Sequence, residues 1–113
     1  MKNILLAGMI GIWTTSAFAH SPLRSTTPAN EVVIAMAPAE VLFDFTGEIR
    51  LTRVTMTIEN HPSVDLDLDG HSGFITEYAV PLPRVGSGPY QIDWRGLGAD
   101  GHALNGTFAF TVQ

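Results

Sequence analysis

The sequence predicts an all-β, single-domain sandwich. Three observations predict it: apolar residues alternate with polar ones in short runs, turn-forming residues punctuate those runs, and no window carries a helical period. Val41, Phe43 and Phe45 alternate with Leu42 and Asp44, and Val54, Met56 and Ile58 with Thr55 and Thr57. Val64, Leu66 and Leu68 alternate with Asp65, Asp67 and Asp69. Phe74, Thr76, Tyr78 and Val80 give a weaker run, because Thr76 is polar. Tyr90, Ile92 and Trp94 alternate with Gln91, Asp93 and Arg95, and Phe108, Phe110 and Val112 close the chain in the same way. Successive strand side chains point to opposite faces, so period two with one apolar face marks a half-buried strand.

The breaks fall at Thr27-Pro28-Ala29-Asn30, Pro38, Asn60-His61-Pro62, Asp69-Gly70 and Gly86-Ser87-Gly88-Pro89. Residues 21–25 and 32–36 can supply further strands. About six to eight short strands spaced by turns fit a two-sheet sandwich of immunoglobulin-like or cupredoxin-like type, with about seven antiparallel strands.

The first residues read as an export signal. Lys2 makes a short positive end, Ile4 to Trp13 form an uncharged apolar run, and Ala17-Phe18-Ala19 is a small-residue cleavage pattern. The run is about half the roughly 20 apolar residues a membrane span needs. Residues 1–19 are therefore expected to be a cleaved secretory signal peptide, and residues 20–113 the mature domain, beginning with His20. After residue 19 the chain holds five Arg against eleven Asp and Glu. That balance excludes a nucleic-acid partner, whose affinity rests on Lys and Arg. It suits cationic partners or metal ions. There is no cysteine. Disulfides, thiolate catalysis, Cys-ligated zinc, iron–sulfur and blue-copper sites are excluded, and a metal would have to use His, carboxylates or a terminal amine.

Four histidines are available: His20, His61, His71 and His102. Cleavage after Ala19 would free the α-amine of His20. That amine and ring Nδ1 close a six-membered chelate on one ion, which suits the tetragonal N,O geometry of Cu(II). Asp100-Gly101-His102 places a carboxylate and an imidazole at i and i+2, on one side of an extended segment, within a glycine-rich turn between the Trp94 and Phe108 strands.

Three segments of the chain resemble the CopC family of periplasmic copper-binding proteins. His20-Ser21-Pro22-Leu23 through Ser25-Thr26-Thr27-Pro28-Ala29 is similar to the family's H-x-x-L-x-x-S-x-P-A opening. Val41-Leu42-Phe43-Asp44-Phe45 is similar to its first core strand. Asp93-Trp94-Arg95 through Asp100-Gly101-His102 to Gly106 and Phe108-Ala109-Phe110 is similar to its W-R-x-x-S-x-D-G-H-x-x-x-G-x-F-x-F ending. The resemblance implies a Greek-key sandwich or barrel and one Cu(II) per chain. His20 would give its amine and Nδ1, with Asp100 and His102 completing the coordination. Gly98 stands where the family usually has Ser, and Ala103 where Pro is common. The acidic residue that often follows the first core strand stands here as Glu48, after an intervening Gly47. Some members carry a Met-rich Cu(I) site, but residues 20–113 hold only Met36 and Met56, which are expected to pack in or near the core.

Asp65-Leu66-Asp67-Leu68-Asp69-Gly70 copies half of an EF-hand loop, but Thr76 stands where the bidentate Glu is required. It reads as the acidic outer face of a strand, and His61 and His71 as surface residues of turns. No G-x-S-x-G elbow occurs. The expected function is a monomeric periplasmic Cu(II) carrier or buffer in copper homeostasis and resistance. It is not an enzyme, it is not embedded in the membrane after cleavage, and its implied partner is an inner-membrane copper transporter of the CopD type. Two other readings are a copper-dependent oxidative enzyme built on an N-terminal histidine brace, and a metal-free interaction module that uses the sandwich as scaffold.

Overall fold

The structure, a computed structural model, describes residues 22–69, 73–83 and 86–113. The expected signal peptide, His20 and His71 lie outside the described residues. Among the described residues there are seven strands: β1 (Leu23–Thr27), β2 (Val32–Ile34), β3 (Glu40–Ile58), β4 (Val64–Asp65), β5 (Ile75–Pro81), β6 (Gly88–Gly98) and β7 (Ala103–Val112). They form one sheet in the order β1-β3-β6-β7-β2, with β4 and β5 also pairing to β3, curled into a half-barrel. No helix among the described residues is long and apolar enough to cross a membrane.

The all-β expectation is met, with corrections in detail. The strands are not all antiparallel, because β2 pairs with β7 in parallel, Val32 opposite Phe110. The runs at Val41–Phe45 and Val54–Ile58 are the two ends of one 19-residue strand. Inward side chains sit at odd positions from Val41 to Leu51 and at even positions from Val54 to Ile58. The change of parity comes from a bulge at Thr52, where Leu51 opposes Gly96 but Arg53 opposes Arg95. The expected Val64–Leu68 strand shrinks to two residues, with Val64 exposed and Leu66 buried. Phe74 precedes β5 and is exposed. Met56 is in the core as expected, whereas Met36 is 78% exposed and outside it.

One core unites the sheet, built from the inward faces of β3, β5, β6 and β7. Phe45 lies 5.2 Å from Trp94 and 6.2 Å from Tyr78, each edge to face, and Phe43 meets Phe108 at 5.5 Å. Each such buried side chain contributes about 1.5–3 kcal/mol of transfer free energy. Every described aromatic residue except Phe74 is buried.

The pairing around β3 positions the site. At Leu42 to Asp44, β3 has β1 on one edge and β5 on the other; at Ile49 it has β5 and β6. With β5 along one edge, β1 and β6 follow each other end to end along the opposite edge. Thr46 donates its N–H to the carbonyl of Pro22 at 2.8 Å, and three residues later Ile49 pairs with Gly98. Because β1 is antiparallel to β3, the step from Leu23 back to Pro22 points toward the Gly98 end of β6. Tyr78 pins this irregular stretch of β3. Its hydroxyl accepts the N–H of Leu51 at 3.2 Å and stands 2.6 Å from the carbonyl of Ile49 and 2.9 Å from that of Gly73.

Candidate metal centre

β6 and β7 are joined by a tight loop. Gly98 donates its N–H to the carbonyl of His102, and Gly101 donates its own to the carbonyl of Gly98, both at 2.9 Å. The intervening residues are Ala99, Asp100 and Gly101, and Gly101 has φ +88°, a conformation that side chains resist. A three-residue hairpin loop that ends in a left-handed residue meets this requirement with glycine. At Gly98 it is space that is tight, since a Cβ there would stand 3.0 Å from Asp100 Oδ1.

Within the loop Asp100 turns back onto His102. Oδ1 accepts the backbone N–H of His102 at 3.0 Å, and Oδ2 lies 2.8 Å from its Nδ1. These contacts lower the Asp100 pKa, the backbone hydrogen bond first and the side-chain bond second. The side-chain bond to Asp100 likewise raises the His102 pKa, with the carboxylate's charge adding to it. Both side chains are well exposed, at 68% and 81%. A proton on Nδ1 leaves Nε2 as the lone-pair nitrogen, open to a metal ion.

The structure thus brings together Asp100 and His102, as the spacing predicts, while His20 falls outside the described residues. Among the described residues no group of three or more His, Asp or Glu could hold a metal ion. His61 is apart, in the turn after Ile58, with Nδ1 3.0 Å from the carbonyl of Glu59. The described aspartates of the run are engaged otherwise: Asp65 pairs with Arg53 at 3.1 Å, and Asp67 accepts the N–H of Asp69. Sequence reasoning missed the parts played by Pro22 and Thr46, because a contact between a pre-strand residue and a mid-strand threonine leaves no trace in spacing.

Fold and site together define a small all-β domain that presents a carboxylate–imidazole pair on an exposed hairpin loop at one end of a curled sheet. Residues 23–113 match the CopC domain, and the chain belongs to that family. It is 28% identical to copper resistance protein C of Escherichia coli, over 99% of this chain and 96% of that one. It is 29% identical to copper resistance protein C of Pseudomonas syringae pv. tomato, over 98% and 93% of the two chains. The fold is shared with the crystal structure of CopC from Methylosinus trichosporium OB3b, with a TM-score of 0.69 at 23% identity, covering 83% of this chain and 94% of the other. It is also shared with the selenomethionine form of PcoC, a copper resistance protein from Escherichia coli, with a TM-score of 0.59 at 22% identity, covering 82% and 100%.

Proposed function

We propose that the chain is a periplasmic Cu(II) carrier or buffer that binds one ion through His20, Asp100 and His102. In this reading residues 1–19 are removed on export, and residues 20–113 act as a monomeric binding protein rather than an enzyme. An inner-membrane transporter of the CopD type is the partner. Membership of the CopC family supports copper as the cargo.

The observation that carries the ligand set is the end-to-end placement of β1 and β6 along one edge of β3. Pro22 is held at Thr46, about 10 Å along the strand from the Ile49–Gly98 pair. Two further residues extend at most about 7 Å. In this reading a His20 whose chain continues that way would come within about 3 Å of the Gly98 level along the strand, a gap that the side chains of His20 and His102 would close. The amine, two imidazoles and a carboxylate make a mixed N,O set in which the divalent series favours copper over nickel and zinc. Carriage rather than oxidation fits the burial of the described aromatics, which leaves only Phe74 exposed for a polysaccharide to stack on.

The test is Cu(II) titration, followed by electron paramagnetic resonance, of protein beginning at His20 and of protein with one extra residue before it. The added residue turns the amine into an amide without altering either imidazole. We expect one tetragonal Cu(II) per chain in the first protein, and affinity lower by several orders of magnitude in the second. Equal affinity in the two would defeat the mechanism.

A further inference from the structure

The arginines of this acidic chain are unevenly placed. Of the four described, only Arg24 stands apart, 3.4 Å from Asp44. Arg50, Arg53 and Arg95 all lie exposed on the outer face of β3 and β6. Arg53 and Arg95 are directly opposite in the antiparallel register, and Asn105 of β7 continues the row. Residues so paired have Cβ atoms about 4.5–5.5 Å apart, a position in which like charges repel. The bulge at Thr52 creates this opposition, since it turns both Leu51 and Val54 inward and leaves Arg53 facing out.

The charges are not matched from within. Arg53 engages Asp65 through Nε alone, and neither Arg95 nor Arg50 has an ion-pair partner among the described residues. Asp93, the nearest carboxylate along β6, is occupied by the Thr107 hydroxyl at 2.7 Å and the Gln91 amide. A shallow open groove of about 710 Å³ runs over Arg53, Arg95, Asn105 and Thr107. One row beyond it, Arg50 opposes Leu97, which opposes Ala103, next to His102. The basic face thus continues to the end of the sheet that carries the Asp100–His102 loop.

We propose that this face is a docking surface for a carboxylate-rich segment of another protein. The guanidiniums match carboxylates in geometry as well as charge, each offering two parallel N–H donors. They stand in successive cross-strand rows of an open face, which suits carboxylates spaced along a chain better than a single small anion, for which the groove has no enclosing walls. Most of the residues lining the groove are polar, the rest being Trp94, Ala103, Leu104 and Gly106, and none of the exposed large hydrophobic residues among the described ones lines it to enter a bilayer. This goes beyond the copper reading and does not depend on it, because the surface is complete without metal.

The experiment is a titration of the isotope-labelled, metal-free protein with a hexaglutamate peptide at low salt, followed by amide chemical shifts. Shifts are expected at residues 50–55, 93–97 and 103–107, fading as ionic strength rises. Arg95→Gln and Arg50→Gln should each weaken binding up to about fivefold, within the range of one exposed ion pair, and Arg95→Glu should weaken it further. Arg24→Gln should leave binding unchanged. The glutamine variants keep the strand backbone and its hydrogen bonds, so the test does not hang on the charge reversal folding. Shifts centred on another face, no effect of the Arg95 and Arg50 changes, equal binding of citrate at the same carboxylate concentration, or binding to anionic phosphatidylserine vesicles without binding to the peptide would each overturn the proposal.

Discussion

Asp100 holds His102 at two points at once, its backbone N–H at 3.0 Å and its ring Nδ1 at 2.8 Å. The pair orients the ring and, with the proton on Nδ1, leaves Nε2 free. It also sets a pH dependence. The His102 pKa is raised by the Asp100 side chain, so this contribution to stability is present below the unfolded value of about 6.5 and is lost as pH rises through the folded value. The Asp100 pKa is lowered, so its contribution is present above about 3.9 and is lost as pH falls through the folded value. If copper binds His102 as proposed, protons compete with it to a higher pH than at an ordinary imidazole. In the metal-free protein, Asp100→Asn should move the His102 titration midpoint downward, measured from the ring proton resonances. An unchanged midpoint would show that the contact is absent in solution.

Tyr78→Phe should destabilise the protein by about 1–3 kcal/mol, the cost of leaving a buried polar group without its partner. The hydroxyl is tied to Leu51 and Ile49 where β3 is irregular, and a phenyl ring fills the same space without either bond. Chemical denaturation with an unchanged m-value would check it.

Gly106→Ala should cost about 1–3 kcal/mol through overpacking. An added Cβ would stand 2.7 Å from Trp94 Nε1 and 2.9 Å from two further indole atoms. Trp94 is only 2% exposed and is backed by Phe45, so the ring has nowhere to retreat. Trp94 is the only tryptophan after residue 19, so its fluorescence reports the displacement directly. Gly47→Ala is the control, because nothing lies within 4 Å of a Cβ there.

The strands most legible in the sequence were those with one fully buried face. Tyr90, Ile92 and Trp94, and Phe108, Phe110 and Val112, fall on the core as their alternation predicts. The unity of β3 was hidden because Thr46, Gly47 and Glu48 are all exposed and the Thr52 bulge reverses parity. Alternation also misled at Val64, whose two-residue strand leaves it outside the core. The parallel β2–β7 pair leaves no periodic mark, since a three-residue strand is too short to show one. At the site, the loop and its Asp–His pair could be read from turn residues and spacing. The hydrogen bonds between the two, and the nearness of Pro22 to that end of β3, depend on packing that spacing does not encode.

The last prediction separates the two described histidines. His102 stands level with Ile49, at the middle of β3, beside the Gly98 loop, whereas His61 follows Ile58 at the strand's end. Nine residues of strand separate those two levels, about 30 Å at 3.3 Å per residue. No single ion can span that distance, and His61 Nδ1 is already within hydrogen-bond distance of the Glu59 carbonyl. If copper sits at the Asp100–His102 end, His102→Ala removes a nitrogen donor outright. Cu(II) affinity should then fall by more than the 10–100-fold that loss of an outer-shell partner costs. His61→Ala should leave affinity unchanged. Competition titrations against a chelator of known affinity would measure both. A loss with His61→Ala equal to that with His102→Ala would place the ion elsewhere and remove the Asp100 loop from the mechanism.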